Sequence, residues 1–116
     1  MKLILAMIRI DKMAATKLAL SDAGLPSFTA MQVVGRGKGK GGFEKSVGLD
    51  ADQQELIIEM PRLKSKRMIT LVVTDEKKEL AVETLIKTNQ TGKSGDGKIF
   101  VTPVEESYTI SSGKQD

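Results

Sequence analysis

Three stretches of this chain are apolar on both alternating sets of side chains, and that pattern decides what the chain can fold into. In Lys2 to Ile10, Leu3, Leu5 and Met7 fall on one set while Ile4, Ala6 and Ile8 fall on the other. Lys66 to Thr74 and Ile99 to Val104 read the same way. Strands of this kind need cover on both faces. Asp11 suits the N-cap of a helix over Lys12 to Ala23, whose inward stripe is Met13, Thr16, Ala19, Leu20 and Ala23. Gly24 and Pro26 form the expected stop, and a strand over Ser27 to Val34 follows. Asp75 suits the cap of a second helix, Glu76 to about Thr88, with Ala81, Val82, Leu85, Ile86 and Asn89 inward. A short extension over Ser107 to Ile110 follows the last strand, and the polar tail 111–116 is expected to be flexible.

The order is β-α-β-β-α-β, the pattern of an α+β, ferredoxin-like sandwich, and the 116 residues read as one domain. Two helices cover only one face of a four-stranded sheet. The other face would then expose far more than the few hundred Å² of contiguous apolar surface that a monomer tolerates. The expectation is a closed oligomer whose sheets pack face to face around an axis.

The chain contains no cysteine and no histidine. Disulfides, thiolate chemistry and the usual transition-metal sites are therefore excluded. The apolar start is too short to cross a bilayer, and no small-residue cleavage site follows it. It reads as a core strand of a cytoplasmic protein. A net charge of +3 favours anionic partners mildly. With three Phe, one Tyr and no Trp, stacking platforms for single-stranded nucleic acid are scarce, which weighs against a small ferredoxin-like RNA-binding domain. The acidic pairs Glu105–Glu106 and Asp75–Glu76 are sequential, and no nucleophile stands beside a base, so an enzymatic site has little support.

Two loops are rich in glycine and lysine. Five of the eight residues from Gly35 to Gly42 are glycine, the others being Arg36, Lys38 and Lys40; a long segment without a clear pattern continues to about Leu63, with a short helix around Asp52 to Glu59. Gly37, Gly39 and Gly42 fit a dinucleotide fingerprint, but no helix follows to receive a pyrophosphate. A structureless stretch of this length in a compact domain reads as a functional loop, about 36–62. The second loop, 91–98, holds Gly92, Gly95, Asp96, Gly97 and Lys98 and feeds directly into Ile99-Phe100-Val101. Its glycines permit positive φ, and successive bare N–H groups beside lysines form anion-binding nests. Converging from two copies, the loops with Lys38, Lys40, Lys66 and Lys98 make a phosphate site.

Thr91 to Val104, TGKSGDGKIFVTPV, resembles position for position the signature of the PII signal-transduction proteins, and the similarity extends over nearly the whole chain. The resemblance implies a trimer that binds ATP or ADP in clefts between subunits. With Mg²⁺ and ATP it implies 2-oxoglutarate at the base of the long T-loop, whose shape selects a protein target. By position, Gly95, Asp96, Gly97 and Lys98 look like the loop that meets the nucleotide phosphates. Gly35, Gly37 and Lys38 look like the facing wall, with Thr29 and Val72 near the adenine. Gly39, Lys40, Gly41 and Lys66 resemble the 2-oxoglutarate site. GRGKGK at Gly35 to Lys40, PRLKSKRM at Pro61 to Met68 and PVEE at Pro103 to Glu106 are most similar to the nitrogenase-associated, NifI-type branch. That branch consists of two paralogous chains, of which this one looks closer to the second, longer-looped one. They inhibit dinitrogenase until 2-oxoglutarate and ATP relieve the block, so the implied partner is nitrogenase, with a homotrimer or an assembly with a paralogue.

Departures from the family pattern are legible too. Gly39 stands where many members carry a Gln that helps hold Mg²⁺, and glycine offers no side-chain ligand. Thr109 and Ser111 stand where two phosphate-gripping arginines are usual. The sole tyrosine, Tyr108, lies outside the loop that carries the uridylylation site elsewhere in the family. These differences keep a second reading open, a paralogue without effectors that acts as a constitutive interaction module.

Overall fold

The computed structural model describes residues 1–36 and 63–116. The T-loop expected over 36–62, its short helix, and Gly37, Lys38, Gly39, Lys40 and Gly41 lie outside the described residues, Arg36 excepted. The order of elements is β1 (Lys2–Ile8), α1 (Met13–Asp22), β2 (Thr29–Gly35), β3 (Lys64–Val73), α2 (Lys78–Asn89), β4 (Lys98–Pro103), and two short strands, β5 (Tyr108–Thr109) and β6 (Lys114–Gln115). The first four strands form one antiparallel sheet in the order β2-β3-β1-β4, the α+β, ferredoxin-like arrangement expected.

Register assigns each side chain to a face. Ile4 stands opposite Leu71 and Ala6 opposite Ile69, and across β4 the partners are Val101 and Ile99. These residues point toward the helices. Ile4, Ala6, Ile8, Ile69, Leu71 and Val73 are buried there against Leu20 of α1 and Ala81 and Leu85 of α2. Truncating a fully buried member such as Ile69 to alanine costs on the order of 2–5 kcal/mol. Between the helices lies one buried polar pair. Asn89 Nδ2 donates to Thr16 Oγ1 (3.1 Å) and to the Leu85 carbonyl (2.9 Å), while the Thr16 hydroxyl donates to the Lys12 carbonyl (2.7 Å). Both residues are thereby satisfied, as burial requires.

The helix starts differ from expectation. Each helix is entered through a 3₁₀ turn, Ile10–Lys12 and Asp75–Lys77, flanked by extended Arg9 and Thr74, and neither turn nor helix has a side-chain cap. Asp11 and Asp75 therefore sit inside the first turn, where a carboxylate still complements the helix dipole. Asp75 instead accepts from the Met1 ammonium at 2.7 Å, which holds its carboxyl below the usual carboxylate range. Ile86, expected inward, is 44% exposed; the buried positions of the helix are Ala81, Leu85 and Asn89. The exit of α1 follows the pattern: Gly24 (φ +80°) donates to the Ser21 carbonyl, and buried Leu25 donates to that of Leu20. This pair of bonds is a Schellman motif.

Among the described residues no helix lies on the other face. Leu3, Leu5, Met7, Met31, Val33, Met68, Val72 and Phe100 share it by register, and Met31, Val72 and Phe100 are each at least 44% exposed. Residues 107–116, where a flexible tail is expected from 111, form a hairpin. Asp116 closes it, accepting from the Ser107 and Thr109 hydroxyls at 2.6 Å each.

Candidate functional site

The open face ends in charge. Continuing the strands past their apolar residues brings Arg9 after β1, Lys64 and Lys66 at the start of β3, and Lys98 at the start of β4 to the same end of the sheet. Asp96 is placed among them, and Asp11 is near enough to act on Lys66 as well. Lys64 and Lys98 make no ion pair among the described residues. Like-charge crowding shows in Lys66, whose pKa is lowered by burial first and then by the neighbouring Arg9 and Lys64. This end of the face attracts anions.

The loop between α2 and β4 is folded around Asp96. Its Oδ2 accepts the Thr91 and Gly92 N–H groups (2.7 and 3.0 Å), and its Oδ1 accepts the Thr91 hydroxyl (2.6 Å) and Arg9 Nε and Nη2 (3.3 and 3.2 Å). Five donors fill the roughly four lone-pair sites of a carboxylate. They hold its pKa far below the usual range, the Thr91 hydroxyl and N–H contributing most. Asp96 is therefore spent on building the loop. Gly97 is required by a close approach: its φ is +118°, and a Cβ there would stand 1.8 Å from the Met7 carbonyl oxygen. The loop thus lies directly on the end of β1.

The expected nucleotide-site residues separate into two groups within one chain. Gly95, Asp96, Gly97 and Lys98 stand at the charged end, with Gly35 at the end of β2 opposite Lys64. Lys66, expected in the 2-oxoglutarate site, donates to the Gly95 carbonyl at 2.5 Å, which joins the two expected sites through one contact. Thr29 and Val72 lie at the far end, lining a groove of about 520 Å³ with Leu3, Pro26, Phe28 and Thr70. Arg9 lies outside the motif, and Thr91, its first residue, has no assigned role in the motif reading although it bonds Asp96. For Arg9 a signal exists: a charge ending a strand otherwise apolar on both faces needs a partner, and Asp96 is the only acid in the loop.

Among the described residues the chain is a small α+β domain with one uncovered apolar sheet face and a glycine loop over a cationic edge. The family described as "Nitrogen regulatory protein P-II" matches residues 1–114, and the chain belongs to it. Among curated relatives it is 42% identical over 117 residues to "Nitrogen fixation nifHD region glnB-like protein 2" of Methanococcus maripaludis, covering 99% of this chain and 96% of that protein. It is 41% identical over 114 residues to "Nitrogen fixation nifHD1 region GlnB-like protein 1" of Methanosarcina barkeri, covering 98% and 97%. The protein 1 of M. maripaludis is 42% identical over 110 residues, so identity alone does not separate the two paralogous types.

Proposed function

We propose that this chain is a non-enzymatic nitrogen-status signalling protein that senses ATP or ADP together with 2-oxoglutarate and regulates nitrogenase through the loop 36–62. The observation that carries this reading is the charged end of the open face. Arg9, Lys64, Lys66 and Lys98 gather there around a glycine loop whose one carboxylate is already consumed. Such a surface is built for a polyanion. Membership of a nitrogen regulatory family and likeness to proteins named for nitrogen fixation regions support the choice of signal and target.

In this reading Gly95, Gly97 and Lys98 meet the phosphates, with Gly35, Gly37 and Lys38 as the facing wall and Thr29 and Val72 near the base. Gly39, Lys40, Gly41 and Lys66 receive 2-oxoglutarate, with Mg²⁺ entering through the nucleotide. Lys66 is suited to a dianion because its present acceptor is a neutral carbonyl, which a carboxylate outcompetes. The subunits assemble as a homotrimer or with a paralogous chain, and the protein works in the cytoplasm. No helix among the described residues is long and apolar enough to cross a membrane.

Titration calorimetry with ATP, ADP and 2-oxoglutarate, singly and together, tests the proposal. Saturable nucleotide binding, with 2-oxoglutarate bound only beside ATP, is expected. Absence of all three heats rejects effector sensing and favours the constitutive module. At one of the two positions where the family carries arginines the Thr109 hydroxyl is engaged by Asp116, which favours that alternative.

A further inference from the structure

We propose that Arg9 is the positioning residue of the anion site, setting the conformation of the glycine loop by the geometry of its guanidinium rather than by its charge. The proposal rests on the phosphate-binding reading above.

Arg9 stands at the end of β1 with extended backbone (φ −69°, ψ 146°), so its anchor is the sheet itself. From there one side chain makes three bonds to the loop: Nε and Nη2 to Asp96 Oδ1, and Nη2 to the Ser94 carbonyl at 2.9 Å. The contacts bracket Gly95, whose φ is +92°. A Cβ there would stand 3.3 Å from Arg9 Nη2, so the guanidinium lies against bare backbone.

The consequence for a ligand follows from the planarity of the peptide. In a trans peptide the carbonyl of one residue and the N–H of the next point in opposite directions. Holding the Ser94 carbonyl toward Arg9 turns the Gly95 N–H away from it. Lys66 does the same one residue later, holding the Gly95 carbonyl and turning out the Asp96 N–H. Two carbonyls that would repel an anion are thus drawn onto cations, and two successive N–H groups are presented on the other side. Among the described residues neither of these N–H groups donates a hydrogen bond. That is the composition of an anion nest.

The two cations differ in kind. Lys66 is a releasable hold, with one neutral acceptor and a lowered pKa. Arg9 is a fixed one, because it carries a carboxylate and a carbonyl at once. A planar fork with separately aimed N–H groups can serve both, whereas an ammonium acts as a point charge.

The test is Arg9→Lys, which keeps the charge and removes the fork. Backbone amide order parameters of Ser94 to Gly97 are measured by NMR, and the affinity for ADP by calorimetry, in both proteins. The order parameters are expected to fall from about 0.85 to below about 0.6. The ADP dissociation constant is expected to rise about tenfold, the loss of charge-assisted bonds of this class. In an Asp96→Ala background the same substitution is expected to add a smaller further loss, because only the bond from Arg9 to the Ser94 carbonyl is left for it to remove. Unchanged loop order in Arg9→Lys overturns the proposal whatever the affinity, as does a loosened loop with unaltered affinity. A loosened loop in a protein whose wild type binds no ADP supports the hold of Arg9 on the loop and rejects the nucleotide reading instead.

Discussion

Gly97→Ala is the most informative single substitution, because the cost can be worked from one contact. The added Cβ would lie 1.8 Å from the Met7 carbonyl oxygen and 2.9 Å from its carbonyl carbon, both backbone atoms that no rotamer change can move. Ordinary C···O contacts begin near 3.3 Å, so β4 must retreat from β1 by about 1.5 Å. Ladder bonds of about 2.9 Å would stretch beyond hydrogen-bonding distance, beginning with the Met7–Lys98 pair. Adding about 1–3 kcal/mol for a side chain forced to φ +118° to roughly 1 kcal/mol for each lost bond gives a destabilisation of about 3–5 kcal/mol. For a domain of this size that lowers Tm by about 12–20 °C. The assay is thermal unfolding by circular dichroism at one fixed protein concentration, since assembly makes Tm depend on concentration. Gly92→Ala is the control. It shares positive φ (+84°) but has open space around the new methyl, so only the conformational cost of about 1–2 kcal/mol applies. Equal losses in the two variants would refute the close-approach reasoning.

Lys66→Met should leave Tm equal to or above that of the wild type, because burial and the nearby Arg9 and Lys64 already disfavour the charged form. The same variant should lose 2-oxoglutarate binding; a clear drop in Tm with binding intact contradicts both halves. For Asp96 the folded pKa is depressed, so its stabilisation is present above the ordinary carboxylate range and is lost as pH falls through the folded value. Acid titration of stability should therefore be flatter in Asp96→Asn than in wild type, and parallel curves would remove Asp96 from the loop's support. Phe100→Glu places a charge on the open sheet face and should convert the assembly to monomers by light scattering; an unchanged mass argues that copies do not meet there. Lys98→Ala should abolish the nucleotide heat in calorimetry, and equal affinity before and after places Lys98 outside the site.

The sheet was legible because its signal is local and periodic. Leu3 to Ile8 is apolar without a break on both sets of side chains, the pattern of a strand covered on both faces. Thr16 and Asn89 were legible as inward positions from helical spacing, although their mutual bond is not, since it joins residues 73 apart. Where reading failed, distant chemistry had intervened. Asp75 has every local credential of a cap, yet the Met1 ammonium reaches its carboxylate from the end of the paired central strand. The site shows the same division. Gly97 and Gly95 stood out by type, and Asp96 by its place in the motif. That Asp96 is held by Arg9 as well as by nearby Thr91 depends on a contact spanning 87 residues that no window of sequence contains.

The open face carries both groups of expected site residues. Val72 and Lys66 point from the same strand onto it, six residues or roughly 20 Å apart, while Lys98, opposite Met7, is four residues or roughly 13 Å along the strands from Val72 and its partner Leu3. In the proposed reading the groove of one copy meets the glycine loop of another when the apolar faces pack around an axis. The face also grades from Leu3, Leu5 and Val72 at one end to Arg9, Lys66 and Lys98 at the other. Burying the apolar end in an assembly lowers the local dielectric at its charged margin, and each cation there acts more strongly on an anion. In this reading oligomerisation and ligand affinity have one cause, and substitutions at Leu5 or Phe100, far from any phosphate, should weaken nucleotide binding in step with the loss of assembly.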